Sequence, residues 1–220
     1  MATTVQATTT PRVGQPTAPT PWYRDRMRLL IAVVVAVLLV AAGAWFVTES
    51  GRRKEAQATT RLSQALAVAD RGNLPQAAAD LQRLIQTYQG TSAATEAVIA
   101  LNQVRVASGQ TELAANNLRQ FVATNPPPRY IVPAYGLLGA ALESGKKFAE
   151  AAQAFEQAAQ HAELGDMKAS YLLEAARAYR EAGKTQEAVR AYRTVLERYP
   201  NSPAVTEAQV RLGELTAGAM

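Results

Sequence analysis

Hydrophobic positions follow two different patterns along this chain. From Leu29 to Val47 the sequence LLIAVVVAVLLVAAGAWFV is an uncharged apolar run of 19 residues, and it shows no polar face. At a rise of about 1.5 Å per residue, a helix of this length nearly matches a hydrocarbon core of about 30 Å. Further along, apolar and small residues recur at steps of three and four, which indicates amphipathic helices. The pattern therefore predicts one transmembrane helix followed by an all-α domain.

The residues that flank the apolar run also favour a membrane span. Trp22 and Tyr23 precede it and Trp45 lies near its end, where interfacial aromatic residues are expected. A cleaved signal peptide and a buried core helix remain alternatives, although the long preceding segment and the missing polar face disfavour them. The positive-inside count is a tie, so charge does not determine the orientation: the basic residues are Arg12, Arg24, Arg26 and Arg28 before the run and Arg52, Arg53, Lys54 and Arg61 after it.

An internal repeat of 37 residues runs through the rest of the chain. The same step relates three sets of positions, and a glycine-containing turn signal lies just before each alanine of the first set. This spacing predicts helix-turn-helix units in which a small residue allows two helices to cross closely. The sets are Ala77, Ala114, Ala151 and Ala188; Leu81, Leu118, Phe155 and Tyr192; and Leu84, Phe121, Ala158 and Val195, with turns at Gly72-Asn73, Gly109-Gln110, Gly145-Lys146 and Gly183-Lys184.

The repeat resembles the tetratricopeptide repeat, which has small and aromatic residues at set points of two antiparallel helices. The last unit matches best, in YLLEAARAYREAGKTQEAVRAYRTVLERYP, and the first unit matches least. In the second unit Arg105 stands where a large apolar or aromatic residue is usual. The segment from Ser202 to Leu215 has a Ser cap and Pro203 at the first helical position, so we expect it to be the closing helix.

These observations predict an all-α chain of five segments. Residues 1–21 are rich in Thr, Pro, Ala and Gln and contain too little apolar surface to fold. We expect a disordered basic tail at 1–28, a transmembrane helix at 29–47, a juxtamembrane helix or linker at 48–60, an α-solenoid of about four units with a closing helix at 61–215, and a short tail at 216–220.

Stacked helical hairpins form a superhelix, and we expect its concave side, made by the first helix of each unit, to bind protein partners. A carboxylate clamp of the kind found in some such domains is disfavoured, because Leu62, Ile99, Gly136 and Leu173 occupy the corresponding places. Contacts with apolar or unfolded chains suit this lining better. The predicted groove residues, apolar at one end and charged at the other, are Leu62, Leu66, Ile99, Gln103, Val106, Gly136, Ala140, Glu143, Leu173, Arg177 and Arg180.

Composition excludes several chemistries and leaves binding as the expected activity. The chain has no Cys and one His, His161, so thiolate sites and multi-His metal sites are excluded. The net charge of +5 lies mostly in the first 28 residues, and the later charges are mixed in sign, which disfavours nucleic acid as a partner. Phosphate-binding loops and nucleophile motifs are absent. We therefore expect that the protein is not an enzyme and that it binds no cofactor, metal or small-molecule substrate. We expect His161 to lie at a helix end or in a linker.

The whole layout resembles the ancillary SecYEG translocon subunit family, which shares a domain architecture with the Tol-associated cell division coordinator. The stretch WYRDRMRLLIAVVVAVLLVAAGAWF and the final repeats carry this resemblance. It implies a single-pass protein of the bacterial inner membrane, with a cytoplasmic N-terminus, periplasmic repeats, and translocon subunits, periplasmic chaperones or client chains as partners. A scaffold for division, Tol-type or peptidoglycan machinery is the alternative, and an array on the cytoplasmic side is a third possibility.

Overall fold

The computed structural model describes residues 22–217, with side chains from residue 26 onward, and helices are the only regular secondary structure in this part of the chain. Residues 1–21 of the tail predicted at 1–28 lie outside the described range, as do the last three residues of the chain, whereas residues 22–28 are helical. The helices are α1 (Trp22–Asp70), α2 (Leu74–Thr87), α3 (Ser92–Ala107), α4 (Thr111–Ala123), α5 (Pro128–Ser144), α6 (Phe148–His161), α7 (Gly165–Glu181), α8 (Thr185–Arg198) and α9 (Ala204–Ala217). The all-α prediction is confirmed.

The chain divides into two compact units, one ending at Ser50 and the other beginning at Gly51. In the first unit, the large apolar side chains between Met27 and Val47 are exposed, with 48 to 73% of their surface accessible. Among the described residues, α1 is the one helix that is long and apolar enough to cross a membrane, judged by length and composition. Exposed apolar side chains on every face of a helix suit a hydrocarbon environment rather than water.

The second unit contains the predicted helical hairpins. The helices α2, α4, α6 and α8 begin at residues 74, 111, 148 and 185, so they reproduce the 37-residue period without deviation. The helices α4, α6 and α8 each pack against the helix before them, and α9 packs against α7 and α8. The part of α1 after Gly51 supplies the first helix of the first hairpin, since Ala58, Leu62 and Ala65 pack in one core with α2 and α3.

The repeated small residues lie in the packed interior of the array. Ala77, Ala114, Ala151 and Ala188 all have 0% of their surface exposed. A larger side chain one turn later fills the space between neighbouring hairpins, because residues four apart lie on the same helical face. The members of this second set, Leu81, Leu118, Phe155 and Tyr192, are buried in the cores. The burial expected for both sets is confirmed.

The turns within three of the four hairpins contain a glycine with a left-handed backbone. Gly72, Gly109 and Gly183 have φ values of 82°, 77° and 72°. In the third hairpin the left-handed residue is Lys146, with φ 59°, and Gly145 has an ordinary φ of −81°. The 37-residue period relates Lys146, and not Gly145, to the other three turn positions, so a side-chain-bearing residue occupies a conformation that glycine adopts at lower cost.

The closing helix begins slightly later than its sequence motif predicts. The helix α9 starts at Ala204, so Pro203 lies just before the helix and not at its first position. The hydroxyl of Ser202 still accepts a hydrogen bond from the backbone N–H of Ala204, at 3.4 Å. Ser202 therefore lies one residue before the N-cap position and still satisfies a backbone N–H of the first turn. At its other end α9 continues to Ala217, two residues beyond Leu215.

Candidate protein-binding groove

The first helices of the hairpins form an inner layer within the repeat array. The first helix α3 packs against the next first helix, α5, and α7 packs against the closing helix α9, so successive helices on this side of the array contact each other. The second helices α4 and α6 are linked instead by the charged pairs Lys147–Glu112 and Arg119–Glu150. Closer approach on one side of a stack of hairpins makes that side concave. We define the inner face as the surface of α3, α5, α7 and α9, together with α1 after Gly51, that lies on this side.

Burial divides the predicted groove residues into two groups. Leu62, Ile99 and Leu173 are buried, with 5, 8 and 8% of their surface exposed, so they belong to the packing between helices. These three occupy one register of the repeat and would present little surface to a ligand. The other predicted residues retain accessible surface: Gln103 is exposed, and Leu66, Val106, Gly136, Ala140, Glu143, Arg177 and Arg180 are partly buried.

A tyrosine that the sequence pattern did not identify covers part of the predicted groove. A Cβ atom added to Gly136 would lie 2.7 Å from the Tyr171 ring, so the ring of α7 rests directly on the backbone of α5. Tyr171 is partly buried, and this burial raises the pKa of its hydroxyl. The glycine therefore provides room for an aromatic side chain from the next hairpin, and Tyr171 contributes its surface where Gly136 was predicted to be accessible.

Charged side chains gather at the C-terminal end of the inner face. The Arg177 guanidinium on α7 lies 3.0 Å from the Glu174 carboxylate and 3.5 Å from the Glu207 carboxylate on α9. On α5, burial raises the pKa of Glu143, and the nearby Glu174 raises it further, while Arg177 acts in the opposite direction. Glu143 and Arg177 were both predicted to line the groove, and the structure places them in one electrostatic cluster.

The cluster extends onto α9, which the sequence analysis did not include in the groove. Arg211 lies 3.7 Å from Glu207 and 3.1 Å from Glu214. The spacing of these residues by three and four along one helix is a signal that could have identified them as a charged face. Cations and carboxylates therefore alternate across α7 and α9, and this end of the inner face suits a partner with polar groups of both signs.

Arg180 lies beside a buried tyrosine. Its guanidinium donates to the carboxylate of the adjacent Glu181, at 3.0 Å. It also contributes, with Arg177 and Arg211, to the electrostatic surroundings of Tyr192, whose pKa is raised chiefly by burial. Tyr192 has 0% of its surface exposed, and its hydroxyl has no hydrogen-bond partner among the described residues. An unpaired hydroxyl in a close-packed core costs folding free energy.

The described residues contain no group of three or more His, Asp or Glu side chains that could hold a metal ion. His161 lies in the last turn of α6, as expected for a residue at a helix end. Its ring stacks on Tyr135, with 5.6 Å between the ring centroids and 8° between the ring planes. The imidazole therefore serves as a packing surface between α6 and α5.

Two family descriptions match the repeat region. Residues 99–165 and residues 170–202 each match a tetratricopeptide-repeat family. The matched segments begin in α3 and extend through α8, the part of the chain with the most regular hairpins. No curated protein matches the sequence significantly.

Solved structures share the architecture at low sequence identity. A Podosopora anserina protein with nearly identical TPR-like repeats is 19% identical, covers 73% of this chain and 86% of its own, and gives a TM-score of 0.60. The MamA protein is 17% identical, with 74% and 82% coverage and a TM-score of 0.58. Pseudomonas aeruginosa PilF is 19% identical, with 76% and 70% coverage and a TM-score of 0.56. At these identities the likeness shows the fold alone, and together with the family matches it establishes that this chain contains tetratricopeptide repeats.

Proposed function

We propose that the chain is a membrane-anchored scaffold that binds partner proteins on its inner face. The observation that carries this proposal is the row of accessible side chains that successive first helices present in the same register, Leu66, Gln103, Ala140 and Arg177. The row combines aliphatic, polar and charged side chains over several helices, which suits an extended protein segment better than a small molecule. The exposed apolar part of α1 supplies the membrane attachment through residues 29–47.

The more specific proposal is an accessory role at the Sec translocon of the bacterial inner membrane. The support for it is the layout of a short basic tail, one apolar span and an Ala-rich repeat array, together with the resemblance stated above. In this proposal the N-terminus is cytoplasmic, the repeats are periplasmic, and the partners are translocon subunits, periplasmic chaperones and exported chains. A scaffold for division, Tol-type or peptidoglycan machinery is the competing proposal, and it differs in its partners rather than in its binding surface.

Protease accessibility in intact spheroplasts tests the proposed orientation. We expect the repeat array of the full-length chain to be digested from outside, because the proposal places it beyond the membrane. A cytoplasmic protein in the same cells serves as the control for membrane integrity. An array that is cut only after lysis would refute both the translocon role and the periplasmic scaffold.

Site-specific photocrosslinking tests the inner face and its partners. Gln103 is exposed on α3, so a photoreactive residue there leaves the packed cores unchanged. Gln153 is exposed on the second helix α6 and provides a matched position away from the inner face. We expect translocon subunits or a periplasmic chaperone to crosslink at position 103 and not at 153. Division or peptidoglycan proteins at position 103 would favour the competing scaffold, and equal crosslinking at both positions would refute the inner face as the binding surface.

Substitution provides a second test of the same surface. Leu66 and Val106 are partly buried beside the inner face, so Leu66→Asp or Val106→Asp introduces a charge where an apolar partner would dock. Both side chains also pack against the cores, and circular dichroism must show that each variant remains helical. A folded variant that still captures the same partners would show that the inner face does not bind them.

A further inference from the structure

A wide, open recess lies between α2 and α4, and none of the row residues Leu66, Gln103, Ala140 and Arg177 lines it. It has a volume of about 490 Å³, and residues of α3 form its third wall. Its lining combines apolar side chains with neutral amides, and Arg105 is the one charged residue among the described residues that line it. We call this recess the α2–α4 cavity.

The repeat register makes Arg105 an unusual residue at its position. One and two periods later, the equivalent positions hold Leu142 and Tyr179, which are both buried in the core. Arg105 is only partly buried, and its burial lowers the pKa of the guanidinium, which shows that the cation is partly removed from water. An arginine remains protonated under these conditions, and a carboxylate is the partner with which a guanidinium forms its strongest hydrogen bonds.

The partner that the register would supply is missing from the second hairpin. In the fourth hairpin the Tyr179 hydroxyl donates to a carboxylate oxygen of Glu156 on the preceding second helix, at 2.9 Å. The residue two periods before Glu156 is Gln82, which lines the α2–α4 cavity together with Arg105. A neutral amide therefore stands where a glutamate would face the cation. In the part of the chain that the structure describes, no salt bridge joins Arg105 to a carboxylate.

The internal hydrogen bonds of Arg105 satisfy only part of its guanidinium. Its Nη1 donates to Oδ1 of Asn102 at 3.3 Å, and Nδ2 of Asn102 donates to the carbonyl of Val98 at 2.8 Å. Asn102 has 1% of its surface exposed and is thereby fixed in orientation. A guanidinium has five N–H donors, so the remaining ones are available for a bidentate carboxylate. Asn102 therefore holds the Arg105 side chain by a hydrogen bond, and the guanidinium lines the α2–α4 cavity.

The two walls of the cavity also lack the links that close the corresponding gap in the next hairpin. Between α4 and α6, Arg119 pairs with Glu150 and Lys147 pairs with Glu112. No comparable pair joins α2 to α4 among the described residues. The walls instead present the amides of Gln86, Asn117 and Gln120, each with donors and an acceptor that match the N–H and C=O groups of a peptide backbone.

We propose that the α2–α4 cavity binds a side-chain carboxylate carried by an extended acidic segment of a partner protein, with Arg105 as its cationic contact. The neutral amides of the walls bind the peptide backbone on either side of the acidic residue. This surface is separate from the inner face, so one chain would hold two protein segments at once. The two proposals stand independently, because neither uses a residue of the other.

Fluorescence anisotropy with defined peptides tests the cavity, using the full-length chain in detergent micelles. The probe is a fluorescein-labelled, amidated Ala-Glu-Ala-Glu-Ala peptide, and its Gln analogue is the control ligand. We expect Arg105→Gln to weaken binding of the Glu peptide by about tenfold or more, because a hydrogen-bonded charge is lost. We also expect Gln82→Glu to weaken binding of the Glu peptide, because the new carboxylate would pair with the Arg105 guanidinium, as the Glu156 carboxylate accepts a hydrogen bond from Tyr179.

Arg193→Gln is the matched control, since Arg193 is exposed on α8, outside the cavity. All three substitutions lower the net charge by one, so nonspecific attraction changes equally. Unchanged binding by Arg193→Gln, with loss in both cavity variants, supports the proposal. Equal affinity for the Gln peptide, equal loss in all three variants, or no binding at about 1 mM Glu peptide would overturn it. If Arg105→Gln fails to fold, Gln82→Glu decides alone, and undiminished binding by that variant would also overturn it.

Discussion

Two buried tyrosines allow the same chemical change to be made in opposite environments. Tyr179 and Tyr192 both pack in the core, with 5 and 0% of their surface exposed. The Tyr179 hydroxyl donates to the Glu156 carboxylate at 2.9 Å, whereas the Tyr192 hydroxyl has no partner among the described residues. Substitution by Phe removes one oxygen atom from each and retains the ring. We therefore predict effects of opposite sign on the free energy of unfolding.

The magnitudes follow from the hydrogen bond that each variant gains or loses. A hydrogen bond to a charged group contributes about 1.5 to 3 kcal/mol. In the Tyr179→Phe variant, the partly buried Glu156 carboxylate can bond to water instead, which reduces the loss. We expect Tyr179→Phe to destabilise the array by about 1 to 2 kcal/mol. An unsatisfied buried hydroxyl costs about 1 kcal/mol or more, so Tyr192→Phe should stabilise the array by about 1 kcal/mol. The two variants should differ by about 2 to 3 kcal/mol.

Urea unfolding of the full-length chain in detergent, followed by circular dichroism at neutral pH, measures both effects. The midpoint should fall for Tyr179→Phe and rise for Tyr192→Phe, with the same slope as the unsubstituted chain. Loss of stability in both variants, by similar amounts, would refute the assignment of a partner to one hydroxyl and not to the other.

Alkaline pH provides an independent check on Tyr179. Burial, followed by the hydrogen bond to Glu156, raises the pKa of Tyr179 to about 12. Below about pH 10 the phenol is neutral in both the folded and unfolded states, so its contribution to stability is complete. Between about pH 10 and pH 12 the unfolded chain ionises first, and stability is lost. Tyr179→Phe should therefore lose less stability over this interval than the unsubstituted chain, and equal losses would contradict the shift.

Three further changes test packing, backbone strain and charge. A Cβ atom at Gly139 would lie 2.6 Å from the buried Phe155 ring, so Gly139→Ala should lower the melting temperature because overpacking costs about 1 to 3 kcal/mol. Gly213→Ala on α9 is the control, since a Cβ atom there would have nothing within 4 Å, and it should gain up to about 1 kcal/mol from helix propensity. Lys146→Gly should raise the melting temperature by relieving a left-handed backbone, with a gain of up to about 1 kcal/mol. Glu143→Gln should raise the urea midpoint at neutral pH, because burial and Glu174 raise the pKa of Glu143, and the gain should disappear below about pH 4, where the carboxyl is protonated in both states.

The outcomes that would contradict these predictions are specific to each change. Equal effects of the two glycine substitutions would show that the Phe155 ring moves aside at no cost. A lower melting temperature for Lys146→Gly would show that the lysine side chain contributes more than its backbone conformation costs. A Glu143→Gln gain that persists in acid would indicate a packing effect rather than relief of charge burial.

The helices and the residues at their crossings could be predicted from sequence because the same pattern recurs in four units at a fixed period of 37 residues. Each crossing residue, such as Ala114, recurs in the same relation to a turn and to a larger residue one turn later. A regular repeat must pack each hairpin in the same way, so four weak local signals support one another. The turn at Gly145-Lys146 was predicted as a pair, and the 37-residue period identifies Lys146 as its left-handed residue.

The surface of the groove was less predictable because it depends on contacts between hairpins. A register position such as Ile99 faces the inner side, but the depth of its burial is determined by the side chains of neighbouring helices. Tyr171 lies against Gly136 across two helices, and Arg177 joins Glu174 to Glu207 across α7 and α9. Periodicity along one helix contains no information about these distances, which arise only when the hairpins stack.

Positions that depart from the repeat are the best guides to function in such an array, because the repeated positions already serve the fold. Arg105 is the clearest case, since Leu142 occupies the equivalent position and is buried. If Arg105 serves a ligand, it reduces the stability of the unliganded chain. Arg105→Leu should then raise the free energy of unfolding by about 1 kcal/mol, seen as a higher urea midpoint, while abolishing binding of the Glu peptide. The estimate is at the low end of the range for replacing a buried charge, because Arg105 is only partly buried. A folded Arg105→Leu variant that is less stable than the unsubstituted chain would show that the arginine serves the structure, through Asn102, and not a partner.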